Sequence, residues 1–547
     1  MRRPLFRSLP LLVLALAACG DDPSPTGAIA ATVSHYDYRL DLESRAAAVD
    51  VELMVDTAGD CLTLPMRAEA LAGVTLGGEA IEPTIADGAA TLCGRGWAQG
   101  TALTLHAELT VPLATLGESQ VGFSLAEDRR DHPFWFLISW VGGCDRFGPC
   151  DAAPDRFATY RFTVDHAAGV TVRCPGQIDE VSATQTVCDF GYDGGPTYST
   201  FGLIASSGWT VEERGAWDGI ATTIYDTGSL VPGQIDDAYH AGMLAMMADL
   251  FGPYPYGDEL RVLTGPTYWS GFEHPGNIVL DDNLANPLSG SLYADPVAHV
   301  LDHEIAHQWA GDQTTLAGTY DFVWKEAMAE YLAYLHEDAT DPVVAARTAR
   351  AWKRFADGAG YYPVPEEQPA LFDYYGEVYG PGPMVLFRQL EVMTSRQAVI
   401  DALASVLGSP STLSVDALQA ALETTTGLDL DAYVDAWVRG TGAPVWPEVA
   451  VSFAAGTLSV THTNATTSAG PCRFHVGLYG AGDGDELLVE VDLADGASQS
   501  LPATPGFEVA TVVLDPLAEC LVYEPAAAVT APAPRRQGFS PWRAVRH

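Results

Sequence analysis

The stretch that most constrains this chain is Ala298-His-Val-Leu-Asp-His-Glu-Ile-Ala-His-Gln-Trp309, which reads as one helix with His303 and His307 four residues apart. Positions i and i+4 share a helix face about one turn apart, so both imidazoles can reach a single ion. Glu304 projects close to that face and suits a general base acting on a metal-activated water. A hydrolytic zinc site needs a third protein ligand and one open coordination position. Tyr320-Asp-Phe-Val-Trp-Lys-Glu-Ala-Met-Ala-Glu-Tyr-Leu332 reads as a second helix and offers Glu326, eighteen intervening positions after His307. Two antiparallel helices joined through Thr314-Thr-Leu-Ala-Gly318 would bring that carboxylate back to the histidines. The pattern predicts one Zn2+ per chain, held by His303, His307 and Glu326. Glu330 lies four residues further along the same face. It is either a carboxylate accepting the spare N–H of a ligand histidine or a plain solvent-facing glutamate.

Around this centre the texture of the chain changes twice. From about His35 to Thr210, short β-rich runs alternate with Gly, Pro and Asp turn signals, as in Tyr36-Asp-Tyr-Arg-Leu-Asp-Leu42 and Ala102-Leu-Thr-Leu-His-Ala-Glu-Leu-Thr-Val111. Helical patterns dominate from about Trp217 to Arg439, beginning with Asp236–Phe251, with a strand near Leu260-Arg-Val-Leu263. Alternation returns from Val445 to Tyr523. The chain of 547 residues exceeds what one core supports. The expected fold is multidomain α+β: an all-β domain over 34–212, a mostly α domain over 213–442, a small β-sandwich over 443–526, and a tail over 527–547.

The first residues point to export. A basic start with Arg2, Arg3 and Arg7 precedes an apolar run from Leu9 to Ala18, too short to span a bilayer as a mature helix. It ends Leu16-Ala-Ala-Cys19, which looks like a bacterial lipobox with Cys19 as the lipidated residue. Residues 1–18 are then a signal peptide and 19–33 a tether. The expected location is the bacterial cell envelope, periplasmic or at the outer surface. Of nine cysteines, Cys19 leaves eight, in local pairs: Cys61 with Cys93, Cys144 with Cys150, Cys174 with Cys188, Cys472 with Cys520. No Cys-x-x-Cys spacing competes as a metal motif, so four disulfides of an oxidising compartment are expected. The net charge is −43, and loss of three arginines with residues 1–18 takes it to −46. That balance argues against nucleic acid, and against membrane contact by anything but the anchor. It fits solubility in a salty medium better than a preference for basic substrates. The sequence implies no oligomeric state.

His303-Glu-Ile-Ala-His-Gln-Trp-Ala-Gly-Asp312 and Trp324-Lys-Glu-Ala-Met-Ala-Glu-Tyr331 resemble the M1 family of zinc aminopeptidases, gluzincins with His-Glu-x-x-His, eighteen residues, then Glu. Ser270-Gly-Phe-Glu-His-Pro-Gly276 is similar to the family's Gly-x-Met-Glu-Asn exopeptidase motif. Phe147-Gly-Pro-Cys-Asp-Ala-Ala-Pro154 is similar to its Phe-Pro-Cys-x-Asp-x-Pro signature, and Val378-Tyr-Gly-Pro-Gly382 to its Tyr-x-Lys-Gly. These motifs cover roughly residues 35 to 440. The resemblance implies a saddle-like N-terminal β-domain and a thermolysin-like catalytic domain acting on peptides. It also implies that Glu273 binds the substrate's free α-amine and that the backbone around Gly271 holds the peptide as an added strand. Tyr379 would donate to the oxyanion. An aminopeptidase does need a carboxylate a short distance from the metal, to measure one residue from a positive terminus. Departures are Phe272 for Met, His274 for Asn and Pro381 for Lys. A second acidic anchor has no match; Ser119–Glu127 lies about where it belongs.

Three functions are compatible with these residues. The first is an aminopeptidase trimming peptides outside the cytoplasm. The second is an endopeptidase or amide hydrolase with no strict need for a free amine. The third is a silent binding protein of the same fold, against which the intact His303, Glu304, His307, Glu326 and Tyr379 count. A free-amine amide tested beside an N-blocked peptide separates the first two.

Overall fold

Strands with one buried and one wet face build the first third of the molecule. The structure, a computed structural model, describes residues 26–524 apart from 69, 115–120, 140–141, 197–198 and 287–292. The strand Ala28–Asp41 pairs antiparallel with Ala46–Thr57 and parallel with Phe157–Asp165, at the middle of a large sheet. Val49, Val51, Leu53 and Val55 alternate into its core while Glu52 and Met54 face out. A second sheet, formed by Thr171–Arg173, Gly202–Ser206, Pro133–Ile138 and Gly122–Glu127, packs beside it.

The anticipated domain start at residue 34 is too late. Residues Ala28–Val33, expected to be tether, are already strand. Ile29 and Val33 bury their side chains, and Ala28 pairs with Cys61. Apolar residues at that spacing are worth more in the core than in a linker. Cys19 and the tail from 527 onward lie outside the described residues. The four cysteine pairs are bonded as anticipated.

The central region begins with a five-stranded sheet ordered Thr210–Trp217, Ile220–Asp226, Glu259–Gly265, Asn277–Asp281, Gly271–His274. Helices α1 (Asp237–Phe251) and α2 (Pro296–His307) pack against this sheet, α3 (Phe322–Thr340) packs on both of them, and α4 (Pro342–Ala356) packs on α3. Asp236 caps α1, accepting from the Ala238 and Tyr239 amides, and Asp295 caps α2 through Ala298. Every α3 residue from Phe322 to Glu337 is buried, so this helix is a core element on all faces. The buried Asp302 carboxylate ties three helices together. It accepts from His240 Nδ1 of α1 at 2.8 Å and His336 Nδ1 of α3 at 2.6 Å.

Past residue 445, Val449–Ala454, Thr457–His462 and Ser498–Pro502 form one small sheet, and Glu486–Asp492, Arg473–Tyr479 and Thr511–Leu514 another. Leu458, Val460, Phe474, Val476 and Leu478 fill the space between, giving the expected sandwich. Among the described residues no helix is long and apolar enough to cross a membrane.

Candidate active site

The last turn of α2 and the second turn of α3 face each other across a buried pocket. His303 Nε2 and His307 Nε2 lie 2.9 Å apart, and Glu326 Oε2 lies 3.4 Å from the first and 3.5 Å from the second. Ligands about 2.0–2.1 Å from a tetrahedral zinc stand about 3.3 Å from one another, so the three donors have the spacing that ion requires. The donor chemistry, two imidazoles and one carboxylate, fits zinc as well. His307 Nδ1 donates to the Ala310 carbonyl at 2.9 Å, which leaves Nε2 for the ion. His303 Nδ1 faces Glu330 Oε1 at 3.5 Å.

Glu330 is fully buried rather than solvent-facing. Its oxygens accept from Tyr293 at 3.0 Å, His299 Nε2 at 3.0 Å and Trp352 Nε1 at 2.9 Å. His299 is in turn held by Glu337 at 2.8 Å. Burial alone would lower the His299 pKa, but the two carboxylates outweigh it and push it up to about 10. An imidazolium, two carboxylates and an indole thus form a rigid wall behind the His303 ring.

Glu304 sits within the same cluster as His303 and His307, its ligand-type oxygen within 4.8 Å of theirs. Its Oε2 is buried without a protein hydrogen-bond partner. Burial, with Glu273 and Glu326 nearby, pushes its carboxyl well above the usual range. The strand Gly271–His274 passes directly over it. A Cβ at Gly271 would come within 2.6 Å of Glu304 Oε1 and 2.9 Å of Val300, so only glycine lets the strand approach this closely. That strand lies at the end of its sheet, where an extended peptide could add alongside it.

Glu273 projects from the same strand into the pocket, where Lys325 Nζ meets it. Lys325 also donates to Glu326 Oε1 at 3.3 Å. Burial opposes the charged form of both groups, yet their mutual attraction prevails. Glu273 is held below its usual range and Lys325 above its own. Gln308 fixes the approach of the strand: its side chain donates to the His274 carbonyl at 3.2 Å and accepts from the Gly276 amide at 2.9 Å. Burial, partly offset by Glu273, pulls the His274 pKa down to about 4, so its ring is neutral.

Tyr379 donates to Glu326 Oε2 at 2.8 Å, and Tyr375 bonds to its hydroxyl. Burial and the Glu326 charge keep the Tyr379 proton in place well above the usual phenol range. Of the neighbouring tyrosines, Tyr374 turns away to the Pro363 carbonyl, while Tyr375 lines the pocket. Tyr375 and Trp269 line the pocket and Lys325 holds its Glu273, three residues that sequence reasoning did not single out. Lys325 had a signal, a lone cation next to the third ligand on an apolar helix. Glu127, in the segment where a second acidic anchor was sought, is exposed.

Fold and site together have the arrangement of a gluzincin-type metal centre, two histidines of one helix and a glutamate of the next. Residues 238–437 match the peptidase family M1 domain. Aminopeptidase N of Canis lupus familiaris is 27% identical over 238 residues, covering 38% of this chain and 24% of that protein. Tricorn protease-interacting factor F2 of Thermoplasma volcanium is 25% identical over 217 residues, covering 35% of this chain and 26% of the relative. The matches thus span about a quarter of these curated relatives. A crystal structure of an M1 zinc metallopeptidase mutant from Deinococcus radiodurans, bound to a Tyr-Ser-Ala substrate, superposes with a TM-score of 0.60. It shares 22% identity and covers 76% of this chain and 95% of that one. That likeness is one of fold.

Proposed function

We propose that this chain is a zinc-dependent peptidase that hydrolyses peptide bonds with Glu304 as general base. The observation that supports it most is the tripod of His303, His307 and Glu326, with Glu304 beside it and Tyr379 across from it. A zinc ion bound by those three side chains supplies Lewis acidity and makes water acidic enough to ionise near neutral pH. Glu304, poorly solvated and with its carboxyl pushed upward, accepts the proton of the attacking water and returns it to the leaving nitrogen. Tyr379 keeps its proton and can donate it in a hydrogen bond to the oxygen that gains charge. The edge strand at Gly271 aligns an extended substrate against this constellation.

Two substrate rules compete. Trimming of free N-termini rests on the resemblance, on Glu273, and on relatives named Aminopeptidase N. Hydrolysis without a free amine is favoured by one specific contact, the ion pair that already engages Glu273. The four disulfides support an oxidising compartment, and with it the reading of residues 1–18 as an export signal followed by a lipidated Cys19. Hydrolysis of a panel of amino-acid and peptide amides, with and without a chelator, tests the proposal. Chelator-sensitive turnover supports it; zinc bound with no turnover of any amide points to a silent binding protein.

A further inference from the structure

A second cavity lies where the N-terminal β-domain meets the central sheet, and it shares no lining residue with the metal pocket. Its volume is about 600 Å3, within the range of sites that enclose small ligands. Arg173, at the end of the strand Thr171–Arg173, and Tyr192, on the strand Gln185–Pro196, come from the β-domain. Tyr225 and Arg261 come from neighbouring strands of the central sheet, Ile220–Asp226 and Glu259–Gly265. Tyr256 lies between α1 and the second of these, and Pro275 and Gly276 follow the strand that passes over Glu304. We propose that this cavity binds zwitterions of the amino-acid and short-peptide class, with the carboxylate inside on Arg173 and the tyrosine hydroxyls and the ammonium at an acidic mouth.

The charges of the lining are sorted by depth. The Arg173 and Arg261 side chains are 12% and 7% exposed, whereas their partners Glu180 and Glu259 are 62% and 43% exposed. Asp258, another lining residue, is exposed as well. The interior is therefore cationic and the mouth anionic. What the interior lacks is acceptors. Arg173 Nη1 donates to the Val172 carbonyl at 2.7 Å and to Glu180 at 3.1 Å, while its Nε is buried without a partner. Arg173 Nη2 and the hydroxyls of Tyr192, Tyr225 and Tyr256 make no hydrogen bond among the described residues, and they are open to the cavity rather than enclosed by protein. Burial holds the Tyr192 and Tyr256 protons in place above the usual phenol range, so both hydroxyls can donate. The Arg173 guanidinium lies 4.6 Å over the Tyr225 ring, a contact that fixes its direction.

A carboxylate is acceptor-only and takes up to about four hydrogen bonds, which matches a wall that offers donors from one guanidinium and three phenols. A bare anion is repelled at the mouth by Glu180, Asp258 and Glu259. An ammonium on the same molecule turns that repulsion into attraction. Free amino acids and peptides with free termini carry both charges. Hydrolysis of longer peptides supplies them, but the chemistry of the cavity stands apart from that reading.

Calorimetry with triglycine on the zinc-loaded protein, its metal pocket saturated by an amino-acid hydroxamate, tests this site. Triglycine should bind, and triglycine amide and N-acetyltriglycine should each bind at least about tenfold more weakly, because each lacks one of the two charges. Arg173→Met should weaken triglycine at least about tenfold, and Tyr256→Phe, which removes one hydroxyl and keeps the ring, about fivefold. Glycine binding as tightly as triglycine would identify free amino acids as the occupant, and tighter triglycine would identify peptides. Equal affinity for triglycine and its amide, acetate binding as tightly as triglycine, or an affinity unmoved in both variants overturns the proposal. So does triglycine binding that disappears when the hydroxamate is added, which would put the peptide in the metal pocket. No readout requires turnover, so an inactive protein can still uphold the site and an active one can still fail it.

Discussion

At one end of the pocket, three donors come from two neighbouring helices and meet at 2.9–3.5 Å. At the other end, the deciding contact joins a strand residue and a helix residue 52 positions apart, Glu273 and Lys325. The first end depends on i, i+4 geometry and one helix–helix packing, both of which constrain residue types at set spacings. The second depends on which side chain the fold happens to carry past the carboxylate. Metal chemistry is therefore the stable property of such a pocket, and substrate choice the one that a single substitution can redirect. Related pockets can keep the first and differ in the second.

The bluntest way to break this contrast is to remove the metal end. Glu326→Ala should leave zinc below roughly 0.1 equivalent after dialysis and abolish hydrolysis, because two histidines alone make a weak site. Full occupancy by metal analysis would show that another group completes the tripod. Glu304→Gln should act differently, keeping zinc and losing at least about a hundredfold in kcat, since the proton acceptor alone is gone. Near-normal turnover in that variant would remove Glu304 from the mechanism. The pair of results separates holding the ion from using it.

How much was legible beforehand obeys the same division. His303, Glu304, His307 and Glu326 could be read from spacing because the helix turns their numbers into positions. The β-domains and the cysteine pairs emerged from alternation and local pairing. Lys325 was visible in the sequence but its partner was not. No periodicity relates a strand at 271–274 to a helix at 322–340, and a lysine on an apolar helix ordinarily reaches solvent. Glu330 stood between two readings for a similar reason: its burial depends on Tyr293, His299 and Trp352 arriving from other elements. The start of the first strand was placed late because Ile29 and Val33 are too few apolar residues to mark an element by themselves.

A finer test asks how far behind its ligands the metal end extends. Glu330→Gln weakens the acceptor facing His303 and the anchor of His299, and should lower zinc affinity by about tenfold or more. Competition with a chromogenic chelator measures it. An unchanged affinity would mean that the wall behind His303 packs the helices without tuning the site.

The smallest effect on the site is expected one residue from a ligand, on the opposite side of α2. Asp302 faces His240 and His336 rather than the pocket, and its two imidazole contacts tie α1 and α3 to the helix that carries both histidine ligands. Asp302→Asn keeps one acceptor and turns an amide N–H toward the other imidazole, so one charge-assisted bond is lost and another weakened. That costs about 2 kcal/mol of local stability. Amide exchange in α1 and α2 should then quicken by about 30-fold, while zinc affinity stays within about threefold of the wild type. The two readouts separate because the ligand nitrogens are positioned by Ala310 and Glu330 on the pocket side, and the helix remains folded between them. If zinc affinity falls as far in Asp302→Asn as in Glu330→Gln, the metal end is not a local device. It would then draw on the packing of all three helices, and its robustness against substitution elsewhere in the pocket would need the same explanation.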